Sequence, residues 1–241
     1  MKNTGRRICR ITFLTLLILL VGAGFIRTAK AQNPELQQRV ADVKESAGKN
    51  KQALASYTWT EQITISLKGE QKKVEHFQVR QGPDGKPQKT SLDEPATAAP
   101  SGGRVKQHVV AKKKEEYKDY AEQMKALAQQ YVPPDGASLQ QAYAKGNITL
   151  GPAAGSPDEV QLVIHDYVKP KDSMTLVFNK AQKSLVRVQI ASYMDDPKDV
   201  MNLTVQFGRL PDGTNHVESM VIDGVSKKLS IATQNSNYKH V

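Results

Sequence analysis

Five histidines, one cysteine and scattered acids are the side chains here that suit nucleophilic, acid–base or metal chemistry, and their spacing assembles none of those sites. His76, His108, His165, His216 and His240 lie far apart. No H-E-x-x-H, G-x-S-x-G, G-x-G-x-x-G or P-loop pattern occurs. His165 and Asp166 are neighbours, but on a strand they point to opposite faces and cannot form a dyad. A general base needs a partner within reach, so a surface or structural role is expected for His165. Asp195-Asp196, just before Pro197, reads as a solvated turn. Asn147-Ile148-Thr149 and Asn202-Leu203-Thr204 fit the glycosylation acceptor pattern, which matters only in a eukaryotic secretory pathway. No catalytic residue, metal ligand or cofactor is expected.

What remains is the chemistry of apolar burial. Tyr117, Tyr120, Met124, Leu127 and Tyr131 step by three or four, which places them on one stripe of a helix. Met and aromatic side chains adapt to floppy ligands. Each buried methylene contributes about 0.8 kcal/mol, so an apolar groove holds an acyl chain without special chemistry. The plain alternative is that the stripe is filled core. Beside it, the Lys112–Lys114 run is either a contact for anionic lipid heads or acidic proteins, or a solvated helix face diluted by Glu115-Glu116.

These features sit in a chain of 241 residues with 34 Lys+Arg against 24 Asp+Glu, a formal charge of +10. A 39% hydrophobic content with eight Tyr and five Phe excludes a disordered chain. The single cysteine excludes an intramolecular disulfide and any multi-cysteine metal site. The charge at first points to nucleic acid or a membrane surface. Much of it, however, belongs to the N-terminus. There a basic head (Lys2, Arg6, Arg7, Arg10) precedes an apolar stretch from Ile11 to Ile26 and an Ala29-Lys30-Ala31 cleavage pattern. These are the three parts of a secretory signal peptide covering residues 1–31. The rival reading is a permanent anchor, but sixteen helical residues rise only about 24 Å against a hydrocarbon core of roughly 30 Å. Cleavage removes Cys9 and six cationic residues and leaves +4 on residues 32–241. A cysteine-free exported chain suits a bacterial periplasm, and no nucleic-acid partner is expected.

The elements that position the stripe follow from periodicity. Asn33-Pro34-Glu35 opens a helix that runs to about Ala55, with Leu36, Val40 and Val43 at helical spacing. From Tyr57 the period becomes two: Tyr57, Trp59, Ile63, Ile65 and Leu67 alternate with polar residues. Lys68-Gly69-Glu70 turns into a second strand, and the three-residue step from Val74 to Phe77 predicts a bulge. Pro83-Asp84-Gly85 leads to a third strand ending near Leu92. After a Pro/Ala/Ser/Gly loop over 93–104, a helical insertion spans 105–146. It holds the aromatic stripe, a stop at Pro133-Pro134-Asp135-Gly136 and a short helix from Ser138 to Lys145 closed by Gly146. Strands then recur near 147–150, 159–168, 173–180, 184–193, 200–209, 214–223 and 226–233. With no helix between them, they predict an antiparallel meander.

About ten antiparallel strands must curl or split to bury one face, and the alternation names that face: Trp59, Ile63 and Ile65, then Leu176 and Phe178, then Val186, Val188 and Ile190. The expected fold is α+β: a curved antiparallel sheet, an unclosed half-barrel of about ten strands, with helices on its concave face. This order of helix, strands, helical insertion and long meander resembles that of LolA and LolB, the lipoprotein carriers of the bacterial periplasm. The resemblance covers most of residues 33–233. It differs in having only three strands before the helices and a long, basic lid helix.

The resemblance implies an apolar groove between sheet and lid. Trp59, Ile63, Ile65, Leu176 and Phe178 would lie on the sheet side, with Tyr117, Tyr120, Met124 and Leu127 on the lid. It implies an exported, non-enzymatic protein holding a lipid, acyl chain or lipoprotein. The alternatives are a sensor or adaptor in the cell envelope that engages protein through the same sheet over a filled core, or, third, an enzyme.

Overall fold

The computed structural model describes residues 34–83, 85–94 and 104–241, with the backbone only at Ala47 and over 104–110. Residues 1–31, expected from sequence to be a signal peptide, lie outside the described residues, as do Asn33, expected to be a helix cap, Asp84 and residues 95–103. Helix α1 (Pro34–Leu54) leads into strands β1 (Tyr57–Leu67), β2 (Glu70–Gln81) and β3 (Pro87–Ser91). Helices α2 (Arg104–Ala128) and α3 (Gly136–Lys145) follow. The chain then runs through β4 (Ile148–Pro152), β5 (Glu159–His165), β6 (Ser173–Asn179) and β7 (Ser184–Tyr193). It ends with β8 (Val200–Arg209), β9 (Asn215–Gly224) and β10 (Leu229–His240). All ten strands form one antiparallel sheet in the order β3-β2-β1-β10-β9-β8-β7-β6-β5-β4. The strands β3 and β4 are its two edges, so the sheet is an unclosed half-barrel, as the alternation predicts.

Register decides which side chains share a face. Ile63 lies opposite Thr233, which lies opposite Met220; Ile231 pairs with Ile222, and Ile222 with Leu203. The row continues through Ile190, Met174, Ile164 and Ile148. Every one of these apolar side chains points to the same side because the period of a strand is two. The helices cover that side. Leu36, Val40 and Val43 of α1, the buried stripe of α2 and Leu139, Ala142 and Tyr143 of α3 join the strand residues in one core.

Three details depart from the sequence reading. The bulge of β2 is not between Val74 and Phe77, which pair in step with Thr64 and Glu61; the register slips between Lys73 and Gln71 instead. Val74 and Phe77 simply lie on opposite faces. The last strand runs to His240 rather than to about residue 233. Its polar tail lacks alternation, yet Glu61 and Thr58 of β1 supply the ladder opposite Asn235 and Lys239. Helix α2 stops at Ala128, so Tyr131 leaves the helix while remaining fully buried.

Helix α3 begins two residues before the expected Ser138 because Asp135 is its cap. One carboxylate oxygen accepts the Ser138 N–H at 2.7 Å, and Gly146 closes the other end at φ 73°. That backbone hydrogen bond holds the Asp135 carboxyl below the usual aspartate range. A depressed pKa stabilises above the unfolded value of about 3.9 and is lost as pH falls through the folded one. Amide protection in the first turn of α3, taken relative to the unfolded chain at each pH, should therefore fall below pH ~3.9, and Asp135→Ala should remove that fall.

Candidate functional site

The sheet and α2 do not meet everywhere. Near the C-terminal end of α2 they leave a groove of about 220 Å³. Its floor is Ile63 of β1, Ile231 and Thr233 of β10 and Met220 and Ile222 of β9, which are neighbours across three adjacent strands. Its roof is Ala128, Gln129 and Val132. At the mouth stand Lys89, paired with Glu61, and Lys125, whose ammonium lies 3.1 Å from Glu122. The floor is apolar because these strand positions alternate inward.

The residues expected from sequence to line a groove fall into several environments. Ile63 lines this one. Ile65 is half-buried and packs on the core. Met124, Leu176 and Phe178 are fully buried in the core, and Leu127 is nearly so. Tyr120 is buried and donates to Asp199 at 2.6 Å; burial first, and that bond second, push its phenol up. Tyr117 is half-buried at a separate basin near the middle of α2. Trp59 is buried outside the main core, stacked on Tyr238 at 5.5 Å, with its indole N–H unpartnered. Lys89, Lys125, Met220, Ile222, Ile231 and Thr233 were absent from the sequence reading. The even spacing of 220/222 and 231/233 is the signal that points to the last four, once β9 and β10 are known to be neighbours.

A second feature went unread. Asp172, 1% exposed, sits in the β5–β6 connection and collects four donors. They are the Tyr131 hydroxyl at 2.6 Å and the N–H groups of Tyr167, Val168 and Lys169 at 2.6, 3.0 and 2.8 Å. Tyr131 also contacts the Ser192 hydroxyl at 2.8 Å. Burial, then the bond to Asp172, raise the Tyr131 phenol. Both oxygens of this carboxylate accept from the chain's own backbone or core, Oδ2 from three donors and Oδ1 from one, so it is a clamp on the turn after α2 rather than a reactive group.

Elsewhere the polar groups are similarly engaged. His76 meets Asp93 twice, ring to carboxylate at 2.9 Å and N–H to carboxylate at 2.6 Å, at an exposed position beyond β3. His165 is exposed at the end of β5, and Asp195 and Asp196 are exposed in a turn. A polar cleft of about 370 Å³ between α1 and the β8–β9 turn contains Asp42, Glu45, Lys49, Arg209 and Asp212. Its acids already have partners: Glu45 pairs with Lys49, Asp42 with Arg39, and Asp212 accepts from Thr214 and Tyr57. Among the described residues no cluster of three or more His, Cys, Asp or Glu is gathered as a metal site needs.

No family model and no curated protein matches this chain. Among solved structures, it is similar to a DUF1329 family protein from Desulfovibrio piger at 11% identity and a TM-score of 0.45, over 85% of this chain and 92% of that one. It is also similar to a LolA superfamily protein from Nitrosomonas europaea at 10% identity and a TM-score of 0.38, over 84% of this chain and 93% of that one.

Proposed function

We propose that this chain is an exported, non-enzymatic binding protein that holds one acyl chain, of a lipid or a lipoprotein, in the groove between α2 and strands β1, β10 and β9. The observation that carries the reading is that groove: a contiguous apolar floor on three strands, open at a mouth with two lysines. Its volume of about 220 Å³ lies below the roughly 300–1,000 Å³ of drug-sized sites. It therefore suits a single slender chain better than a bulky ligand, with the polar head left at Lys89 and Lys125. Displacement of a fluorescent fatty acid tests this directly. Met220→Trp fills the groove from a half-buried position. If it excludes three methylenes at about 0.8 kcal/mol each, affinity for the probe should fall at least about tenfold. Unchanged probe binding in that variant would sink the proposal.

The filled interior over the remainder of the sheet favours a second reading, an envelope adaptor that binds protein. Met124, Leu176 and Phe178 have no exposure and leave no room for a ligand among them. A wild-type protein that takes up no fatty-acid probe and yields no bound lipid by mass spectrometry supports the adaptor.

A further inference from the structure

The β1–β2 and β9–β10 turns, at the end of the sheet away from the polar cleft, gather lysines that the groove does not explain, while the β7–β8 turn next to them holds Asp195, Asp196 and Asp199. Lys68, in the β1–β2 turn, and Ser226, Lys227 and Lys228, in the β9–β10 turn, line an open basin with Glu116 and Tyr117 of α2. The two turns are tied together by the Lys68 N–H, which donates to the Lys228 carbonyl at 2.8 Å. Glu116 is the acid on the basin wall, and Lys227 pairs with it. Lys112 and Lys113 stand one turn earlier on α2 and also hold the Glu116 carboxyl below its ordinary range, after Lys227. Asp199 behind the basin accepts from Tyr120, and Glu70 beside it pairs with Lys72. Lys68, Lys112, Lys113 and Lys228 form no salt bridge among the described residues.

One further observation indicates what this surface meets. Val225, beside the lysines in the β9–β10 turn, is 51% exposed, one of few large apolar side chains here that face water. An aliphatic tip flanked by lysines, with a half-buried tyrosine beside it, matches the boundary of an anionic bilayer. Lysine ammoniums meet lipid phosphates there while the apolar tip enters the headgroup region. An acidic peptide would need walls to fix its course, and this basin is open.

We propose that this end of the protein docks on anionic lipid bilayers, through Lys68, Lys112, Lys113, Lys227 and Lys228 around the Val225 tip. Docking requires nothing of the groove and stands apart from the acyl-chain proposal.

The test is co-sedimentation of the protein with vesicles of phosphatidylcholine alone and of phosphatidylcholine mixed with phosphatidylglycerol, across a range of salt. Binding is expected to the mixed vesicles only and to weaken steeply as salt rises. Each surface lysine contributes about fivefold, so Lys112→Glu with Lys113→Glu on the exposed helix face should weaken binding at least about tenfold. Lys68→Glu with Lys228→Glu should do the same from the turns, and Val225→Ser should weaken binding without changing its salt dependence. Thermal melting checks that each variant is folded, and fatty-acid probe binding by the same variants reads the groove separately. Equal binding to both vesicle types, no binding to either, or full binding by the lysine variants would overturn the proposal. Capture of an acidic peptide in place of vesicles would count as the second of these.

Discussion

Replacing Asp172 by alanine is expected to destabilise the fold by about 3–5 kcal/mol, read as a shift in the urea midpoint. The carboxylate is buried and its charge is compensated only by three backbone N–H groups and the Tyr131 hydroxyl. Lys169 does not neutralise it, since its ammonium bonds the carbonyls of Tyr193 and Met194 at 2.7 and 3.1 Å. Removing the acceptor strands those donors in the interior, and an unmade buried hydrogen bond costs its full desolvation. Tyr131→Phe removes one donor and leaves the rest, so its cost should be smaller, about 1.5–3 kcal/mol. Asp172→Asn can keep its carbonyl oxygen on the three donors of Oδ2 and opposes its NH₂ to the Tyr167 N–H alone, so it should cost less than the alanine variant. A loss below ~1 kcal/mol for Asp172→Ala would show that the clamp is dispensable.

The next largest effect is expected at Gly224, where β9 passes under α2. A Cβ at this position would lie 2.6 Å from the Tyr120 ring, 2.8 Å from its hydroxyl and 2.9 Å from the Met124 sulfur. The methionine can yield, because its side chain is unbranched and flexible. The tyrosine yields less readily, because its hydroxyl is held by Asp199 at 2.6 Å. Gly224→Ala should cost about 1–3 kcal/mol by overpacking, and Gly224→Val more. Met124→Ala opens space on one side only, so in the Gly224→Ala background it should cost less than alone. Strictly additive losses in that double-mutant cycle would show that the close approach is not what excludes a side chain.

The elements were legible because burial on one face imposes a period. The first two strands, most of the later ones and the α2 stripe can be read from periodicity, whereas the third strand, with every residue exposed, is marked only by the turn before it. The stretch of β10 beyond Thr233 was not legible, since Gln234-Asn235-Ser236-Asn237 offers no apolar rhythm; its strand character comes from pairing with β1. The candidate site was legible only in part for a related reason. Ile63 stands out within its own strand, but Met220, Ile222 and Ile231 become a floor only through lateral neighbours set by sheet order. The sequence also does not separate Met124, Phe178 and Leu176, which fill space, from Ile63, which borders it. That distinction depends on what the fold brings opposite each side chain. Asp172 was hidden because a polar loop residue and a buried acceptor look alike until the loop folds over it.

The seat of β1 between β2 and β10 has a consequence for assembly. Strand β1 has for one neighbour β10, more than 160 residues later, so the sheet is completed only once β10 has been made. Pairs so remote in sequence make folding slow, because the loop they close must be ordered before the contacts repay it. Until then β1 presents a bare edge that invites pairing with other chains. A chain shortened by one strand would therefore lose the join between its two halves, leaving β1–β3 with no sheet to extend.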